Sequence, residues 1–316
     1  MTSRQRERGG AVDDELRAAI RRLPGSLSID PDFASARQLD GLTNRSYRID
    51  DAGRSFVLRL AGPSTRLYID RESEARHARA AHAAGLSPEL LFADPQADLA
   101  LYDYSPLPPV AGDTLRADPA LQRRCSVALR RLHEQVTGFV TPFDPFERID
   151  HYLAVLVHLG GSQPPQHAEA LREVGALRAV VDAPPAATAC HVDTYCENFL
   201  DDGSRTQLID WEYSGVGNPM WDLANLSREN QLDAIADMHV LTSYFRTPPS
   251  PAQLARFELF KPICDLFWAS WCLIQVAAGN DTSDWDADWR LRLDAAGRAL
   301  SIDGFGTLLS RARAAD

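Results

Sequence analysis

The chain has 316 residues, with 33 basic against 44 acidic side chains and a formal net charge of −11. That length suits two lobes or domains, and 45% hydrophobic residues supply a substantial core and exclude wholesale disorder. The acidic balance excludes a non-specific nucleic-acid binder, which needs a basic face to neutralise phosphates. Lys261 is the only lysine, so chemistry that needs a lysine elsewhere is excluded, including the P-loop Gly-Lys-Ser/Thr.

In chain order, residues 1–12 lack an apolar signal core and read as a loose tail. Residues 13–23 form a short amphipathic pattern. Residues 38–49 and 55–60 alternate as strands, with Asp50-Asp-Ala-Gly53 as the turn of a hairpin. Residues 70–84 are rich in Ala, Arg and Glu and predict a helix stopped by Gly85. Residues 99–104 read as another strand. Pro106-Leu-Pro-Pro109 suits neither helix nor strand and marks the lobe boundary, giving an N-terminal lobe over 1–104 and a helical C-terminal lobe over 105–316.

Beyond the boundary, helical spacing predicts helices over 121–135, 151–159, 167–181, 230–245 and 254–278, and again after Asp286. Strand-like pieces at 187–192, 199–200 and 207–211 interrupt them. No apolar run is read as approaching the roughly 20 residues that cross a bilayer. The five cysteines are scattered without CxxC spacing, so neither a disulfide framework nor a zinc site is indicated and a reduced cytoplasm is the default compartment.

The most specific segment carries His191-Val-Asp193, then Asn198, then Ile209-Asp210-Trp-Glu-Tyr213. The spacing is H-x-D-x-x-x-x-N followed by a short hairpin and an apolar residue before Asp. Phosphoryl transfer needs a carboxylate to take the acceptor's proton and oxygen ligands for a magnesium–nucleotide nearby. A loop presenting Asp193 and Asn198 beside a strand end presenting Asp210 supplies both. Taken singly, each Asp or Asn is an ordinary turn residue; the order and spacing together carry the reading.

These two motifs resemble the protein-kinase-like phosphotransferases of small molecules. Continued through Pro219-Met-Trp-Asp222, they look most like the choline/ethanolamine kinase branch, over about residues 39–293. The resemblance implies an α+β, two-lobed protein-kinase-like fold with ATP in the cleft, Asp193 as catalytic base, Asn198 and Asp210 as magnesium ligands, and Asp222 as a brace for the catalytic loop. It implies that Gly41-Leu-Thr-Asn44 opens the nucleotide loop. It also implies that Arg59 grips phosphate where protein kinases carry a lysine, with Glu74 orienting it and Glu72 as the fallback. His191 and His133 match packing positions, and Cys196 is a bystander. The chain departs from the family pattern after residue 103, where a glycine is usual, so no adenine-contacting hinge residue is assigned.

The same resemblance implies a small amino alcohol as acceptor, with Glu229 facing its cation. Trp268, Trp271, Trp285 and Trp289 are four of the six tryptophans, and Trp268 and Trp271 share a helix face. An aromatic cage suits a methylated ammonium, which attracts π-density but donates no strong hydrogen bond. Core packing is the plain alternative for these rings. Thiamine kinase and aminoglycoside phosphotransferase are the alternative activities, and a pseudokinase-like binding protein is the non-enzyme one. No nucleic-acid partner and no membrane insertion are expected, and a homodimer is allowed.

Overall fold

A computed structural model of the chain describes residues 9–10, 14–32, 34–39, 41–62, 64–181, 187–301 and 305–312. The first hundred residues build a six-stranded sheet, in the order β1-β2-β3-β4-β6-β5, from β1 (Gly9–Gly10), β2 (Ser35–Leu39), β3 (Arg45–Asp51), β4 (Arg54–Leu60), β5 (Leu90–Asp94) and β6 (Leu99–Asp103). Two helices join it, α1 (Asp14–Ile20) and α2 (Arg71–Ala83). Period-two alternation puts Tyr47, Ile49, Phe56 and Leu58 on one face, where they bury against Leu16 and Ile20 of α1. Arg59 lies on the other face of β4, opposite Ala100 of β6. Asp70 caps α2 by accepting the N–H groups of Glu72 and Ser73, and Gly85 takes the left-handed φ of +71° that ends it.

Two expectations change here, and one strand is additional. The pattern expected as one strand over 38–49 is two antiparallel strands, β2 and β3, with Leu39 opposite Ser46. Gly41-Leu-Thr-Asn44 is therefore the turn between them. Strand β5 had no expectation, because its residues do not alternate. The tail expected over 1–12 lies mostly outside the described residues, but Gly9 and Gly10 pair with Arg37 and Ala36 as an edge strand.

The second part is mainly helical: α3 (Gly112–Ala117), α4 (Pro119–Gln135), α5 (Pro145–His158), α6 (Pro165–Val174), α7 (Arg178–Val181), α8 (Met220–Glu229), α9 (Ala234–Phe245), α10 (Pro251–Ala277), α11 (Trp285–Leu300) and α12 (Phe305–Ala312). The apolar stripe of α4 and the whole circumference of α10 from residue 262 to 275 are buried. Helix α10 has the length and hydropathy of a membrane span (27 residues, mean hydropathy 1.2), against the expectation of none, but 89% of its apolar window is packed inside the protein. It is the axis of the helical lobe.

Two small ribbons interrupt the helices. Strand β7 (Thr188–Cys190) pairs with β10 (Gly215–Gly217), and β8 (Phe199–Asp201) pairs with β9 (Thr206–Leu208). The Pro-rich connector docks on the second ribbon, with the Val110 N–H donating to the Phe199 carbonyl at 2.8 Å. Strand β10 lies against the 141–143 segment so closely that a Cβ on Gly217 would sit 2.9 Å from the Phe143 ring and from its carbonyl oxygen. The chain enters α8 three residues later, where Asn218 Oδ1 accepts the Met220 N–H at 3.0 Å. Gly217→Ala is expected to lower the unfolding free energy by about 1–3 kcal/mol, as overpacking of a tight contact does. The measurement is the urea midpoint at constant slope, and an unshifted midpoint would contradict the close approach.

Candidate active site

The loop after β7 carries Asp193, and its shape comes from one buried carboxylate. Asp222, in the first turn of α8, accepts the His191 N–H at 2.7 Å, the Val192 N–H at 2.8 Å and His133 Nε2–H at 3.0 Å. Val192 has a φ of +75°, costly for a β-branched residue, and both its N–H and its carbonyl are held, the latter by Trp221 Nε1–H at 2.9 Å. His191 is fully buried and burial lowers its pKa, so it stays neutral and donates from Nε2 to the Ile209 carbonyl at 2.8 Å. His133, Cys190 and Asp222 lie close enough to share a cation, but both Asp222 oxygens already accept N–H groups. Cys196 is buried, and burial pushes its thiol up to about 11, so it is no ready nucleophile.

Asn198 Nδ2 donates to both the carbonyl and a carboxylate oxygen of Asp193, each at 3.0 Å, which turns its own side-chain oxygen away from that residue. The Ile209 N–H donates to the Asn198 carbonyl at 3.0 Å and brings Asp210 beside this loop. Asp210 has a left-handed φ of +66°. Burial, and next Glu229, push the Asp193 carboxyl up to about 7 against the pull of Asn198. Asp210 is raised well above the usual carboxylate range by burial and then by Glu212, with Arg59 opposing.

From the small lobe, Arg59 pairs with Glu74 and reaches Asp210 at 3.2 Å. Glu72 is exposed, so Glu74 is the partner. Sequence reasoning missed the rest of this network. Arg71 Nη1 donates to Glu74 and to Glu212, both at 2.8 Å, and Asn44 Nδ2 donates to Glu212 at 2.8 Å. The side chain of Asn44 is thus turned into the network. Glu212 stood inside the quoted motif, but nothing in the sequence marked Arg71 among the arginines of α2.

On the other side of the loop, Asn225 Nδ2 donates to Thr194 Oγ1 at 3.1 Å and its oxygen accepts Trp268 Nε1–H at 2.7 Å. Edge-to-face contacts run from Tyr213 to Trp268 (5.4 Å), Trp271 (5.9 Å) and Trp285 (5.1 Å). All four rings are buried, and among the described residues the Trp285 indole N–H and the Tyr213 hydroxyl have no hydrogen-bond partner. Trp289 is also buried but donates to Asp286 of its own helix at 2.9 Å. Glu229 ends α8 and is held by Arg292.

A half-buried loop carboxylate, an amide and a second carboxylate beside an arginine–glutamate pair from an antiparallel sheet define a protein-kinase-like phosphotransferase centre. The model of the phosphotransferase enzyme family matches residues 35–257. A choline/ethanolamine kinase family protein of known structure from Mesorhizobium loti is 34% identical, with 95% of this chain and 98% of that one covered and a TM-score of 0.81. Protein LicA of Haemophilus influenzae is 25% identical over 82% of this chain and 98% of its own. Mouse ethanolamine kinase 2 is 25% identical, covering 80% and 75%. The chain belongs to the phosphotransferase enzyme family and, within it, to the choline/ethanolamine kinase family. It is a small-molecule kinase.

One further buried group ties α2 to the segment after Asp210. His77 Nε2 accepts the Val140 N–H at 3.2 Å, so Nδ1–H donates to Ser214 Oγ at 3.0 Å, and Ser214 in turn donates to the Trp211 carbonyl at 2.5 Å. Burial lowers the His77 pKa from 6.5 to about 4. The unfolded chain therefore binds the proton first, so stability is complete above pH 6.5 and falls as pH drops towards 4. Between pH 6.5 and about 5 the loss attributable to His77 is on the order of 2 kcal/mol. In urea melts across that range, His77→Gln should flatten the decline by this amount; an unchanged slope would contradict the neutral-histidine tether.

Proposed function

We propose that the protein transfers the terminal phosphoryl group of ATP to the hydroxyl of a small ammonium alcohol, choline or ethanolamine. The observation that carries this reading is the aromatic chain from Tyr213 to Trp285, which starts three residues after Asp210 and is hydrogen-bonded through Asn225 to the loop that holds Asp193. The 34% identity to a choline/ethanolamine kinase family protein supports the same acceptor class.

Asp193 accepts the acceptor hydroxyl's proton as its oxygen bonds to the terminal phosphorus, and the bond from that phosphorus to the bridging oxygen breaks to release ADP. A carboxyl near 7 is poised for that transfer at neutral pH. Arg59, fixed by Glu74, holds phosphate oxygens with a planar fork that needs no lysine. The carboxyl groups of Asp193, Asp210, Glu74, Glu212 and Glu229 outnumber Arg59, Arg71 and Arg292, an excess of acids over arginines that suits a divalent cation. Asn198 and Asp210 offer the hard oxygen ligands that magnesium prefers, and the ion would neutralise charge developing on the phosphates. The division of labour is a nucleotide lobe over 1–104 and a catalytic and acceptor lobe over 105–316. The five buried, free cysteines fit a reducing cytoplasm.

A coupled ADP-release assay across choline, ethanolamine, thiamine and kanamycin should show turnover of an amino alcohol; turnover of kanamycin alone would refute this reading. Asp193→Ala should cut turnover by about 10²–10⁴-fold while ATP binding persists, and a near-normal rate would remove Asp193 from the proposed role. Trp268→Ala should raise the choline KM by roughly 2–30-fold, and the ethanolamine KM by less, since the methylated cation depends more on an aromatic face. Equal effects would assign Trp268 to packing alone.

A further inference from the structure

Glu229, the acid expected to face the acceptor cation, already has a partner. Arg292 Nη1 and Nη2 lie 2.5 and 2.9 Å from its two carboxylate oxygens, a fork-to-fork pair. Glu229 is fixed at the end of α8 with its side chain only 10% exposed, whereas Arg292 projects from α11 with 26% exposed. Glu229 also lies close enough to Asp193 for its charge to act there. Arg292 follows Trp289 by three residues and Trp285 by seven, so it stands on the helix that supplies one of the buried rings.

We propose that Arg292 is a resident cation on Glu229 that the acceptor's ammonium must displace, making it the residue that sets acceptor affinity and selectivity. This rests on the ammonium-alcohol reading above. The Arg292 fork takes both Glu229 oxygens, and the Glu229 side chain is only 10% exposed, so an ammonium that reaches this carboxylate meets it from the side Arg292 occupies and must displace at least one arm of the fork. The long arginine stem, open to water on one side, can withdraw; the carboxylate cannot. A second partner lies on the same helix: Asp288 precedes Arg292 by four residues, the favourable order for an acid and a base on a helix face. The Asp288 carboxylate accepts Ser283 Oγ–H at 3.2 Å. The acceptor's apparent affinity is therefore lowered by the fraction of molecules in which Glu229 is open.

The exchange also discriminates. A primary ammonium replaces the lost hydrogen bonds to Glu229, and a quaternary one cannot. Arg292 therefore opposes choline more strongly than ethanolamine.

The test is a set of KM values for choline, ethanolamine and the uncharged choline isostere 3,3-dimethylbutan-1-ol, measured by ADP release. Arg292→Met should lower the choline KM by about tenfold, the ethanolamine KM by less, and leave the KM for ATP and the KM for the uncharged alcohol unchanged. Glu229→Gln should raise the KM of both cations by leaving Arg292 unpaired beside them, and the double variant should fall between the two singles. A choline KM that rises or stays constant in Arg292→Met, or an equal gain with the uncharged alcohol, would overturn the exchange. Should Arg292→Met fold poorly, Asp288→Asn tests the same point. Loss of the alternative partner should raise both acceptor KM values severalfold, and a constant KM would overturn the proposal. If the wild-type protein turns over no ammonium alcohol, the functional reading falls and the exchange with it; normal turnover with unmoved KM values removes the exchange alone.

Discussion

The geometry of this centre depends on the carboxylate of Asp222. It is buried, and its charge is compensated by three N–H donors: the backbone of His191, the backbone of Val192 and the His133 ring. Those bonds hold Val192 at a φ of +75°. In that conformation the chain reverses direction, and the next side chain, Asp193, leaves the loop towards Asn198. Without the carboxylate the two N–H groups would be orphaned in an apolar surround, and the β-branched residue would relax towards an ordinary φ. Asp222 lies five residues beyond the tight contact of Gly217 on Phe143, and Asn218 holds the start of α8 by accepting the Met220 N–H on its side chain at 3.0 Å.

Charge is the second organising constraint. Buried ion pairs are costly to desolvate and contribute little net stability, so a connected set of them calls for a reason beyond stability. Here Arg71 sits between Glu74 and Glu212, and Arg59 between Glu74 and Asp210, so two small-lobe cations bridge acids from both lobes. The raised affinities of Asp193 and Asp210 for protons follow from burial and from crowding with Glu229 and Glu212. A site that repels its own protons' departure is one that accepts a cation or a proton readily. The absence of lysine from this region is consistent with that arrangement: guanidinium groups keep their charge when buried and reach two carboxylates at once.

Much of this was legible in the chain because the proposed catalytic residues lie in one short stretch. Asp193, Asn198 and Asp210 are local, and the hairpin between them is announced by turn residues. Helices α2, α4 and α10 were readable from composition and apolar spacing. What was not readable depends on tertiary contact. Strands β2 and β3 looked continuous because a turn whose side chains include a buried Asn44 carries no strong breaker beyond Gly41. Arg71 and Arg292 were indistinguishable from the other arginines of their helices, since only the fold brings them to Glu212 and Glu229. The tryptophans illustrate the converse. Their helical spacing was plain, but whether they line a site or fill a core is set by their neighbours, and Trp289, bonded back to Asp286, differs in this from Trp268, which is bonded to the catalytic loop through Asn225.

Helices α10 and α11 and the turn between β2 and β3 are also physically continuous. The connection between α10 and α11 sends Asn280 Nδ2–H and Thr282 Oγ–H to the carbonyl of Leu42, at 3.3 and 3.0 Å, in the turn between β2 and β3. Asn280 donates as well to Gln275 at 3.0 Å, and Gln275 donates to the Tyr68 hydroxyl at 3.2 Å. On the opposite side of that turn, Asn44 is bonded to Glu212. A four-residue turn held from both flanks by the large lobe has little freedom to move by itself. Any displacement of the Gly41–Asn44 turn must therefore be accompanied by rearrangement at the C-terminal end of α10 and the start of α11, where Trp285 closes the aromatic chain.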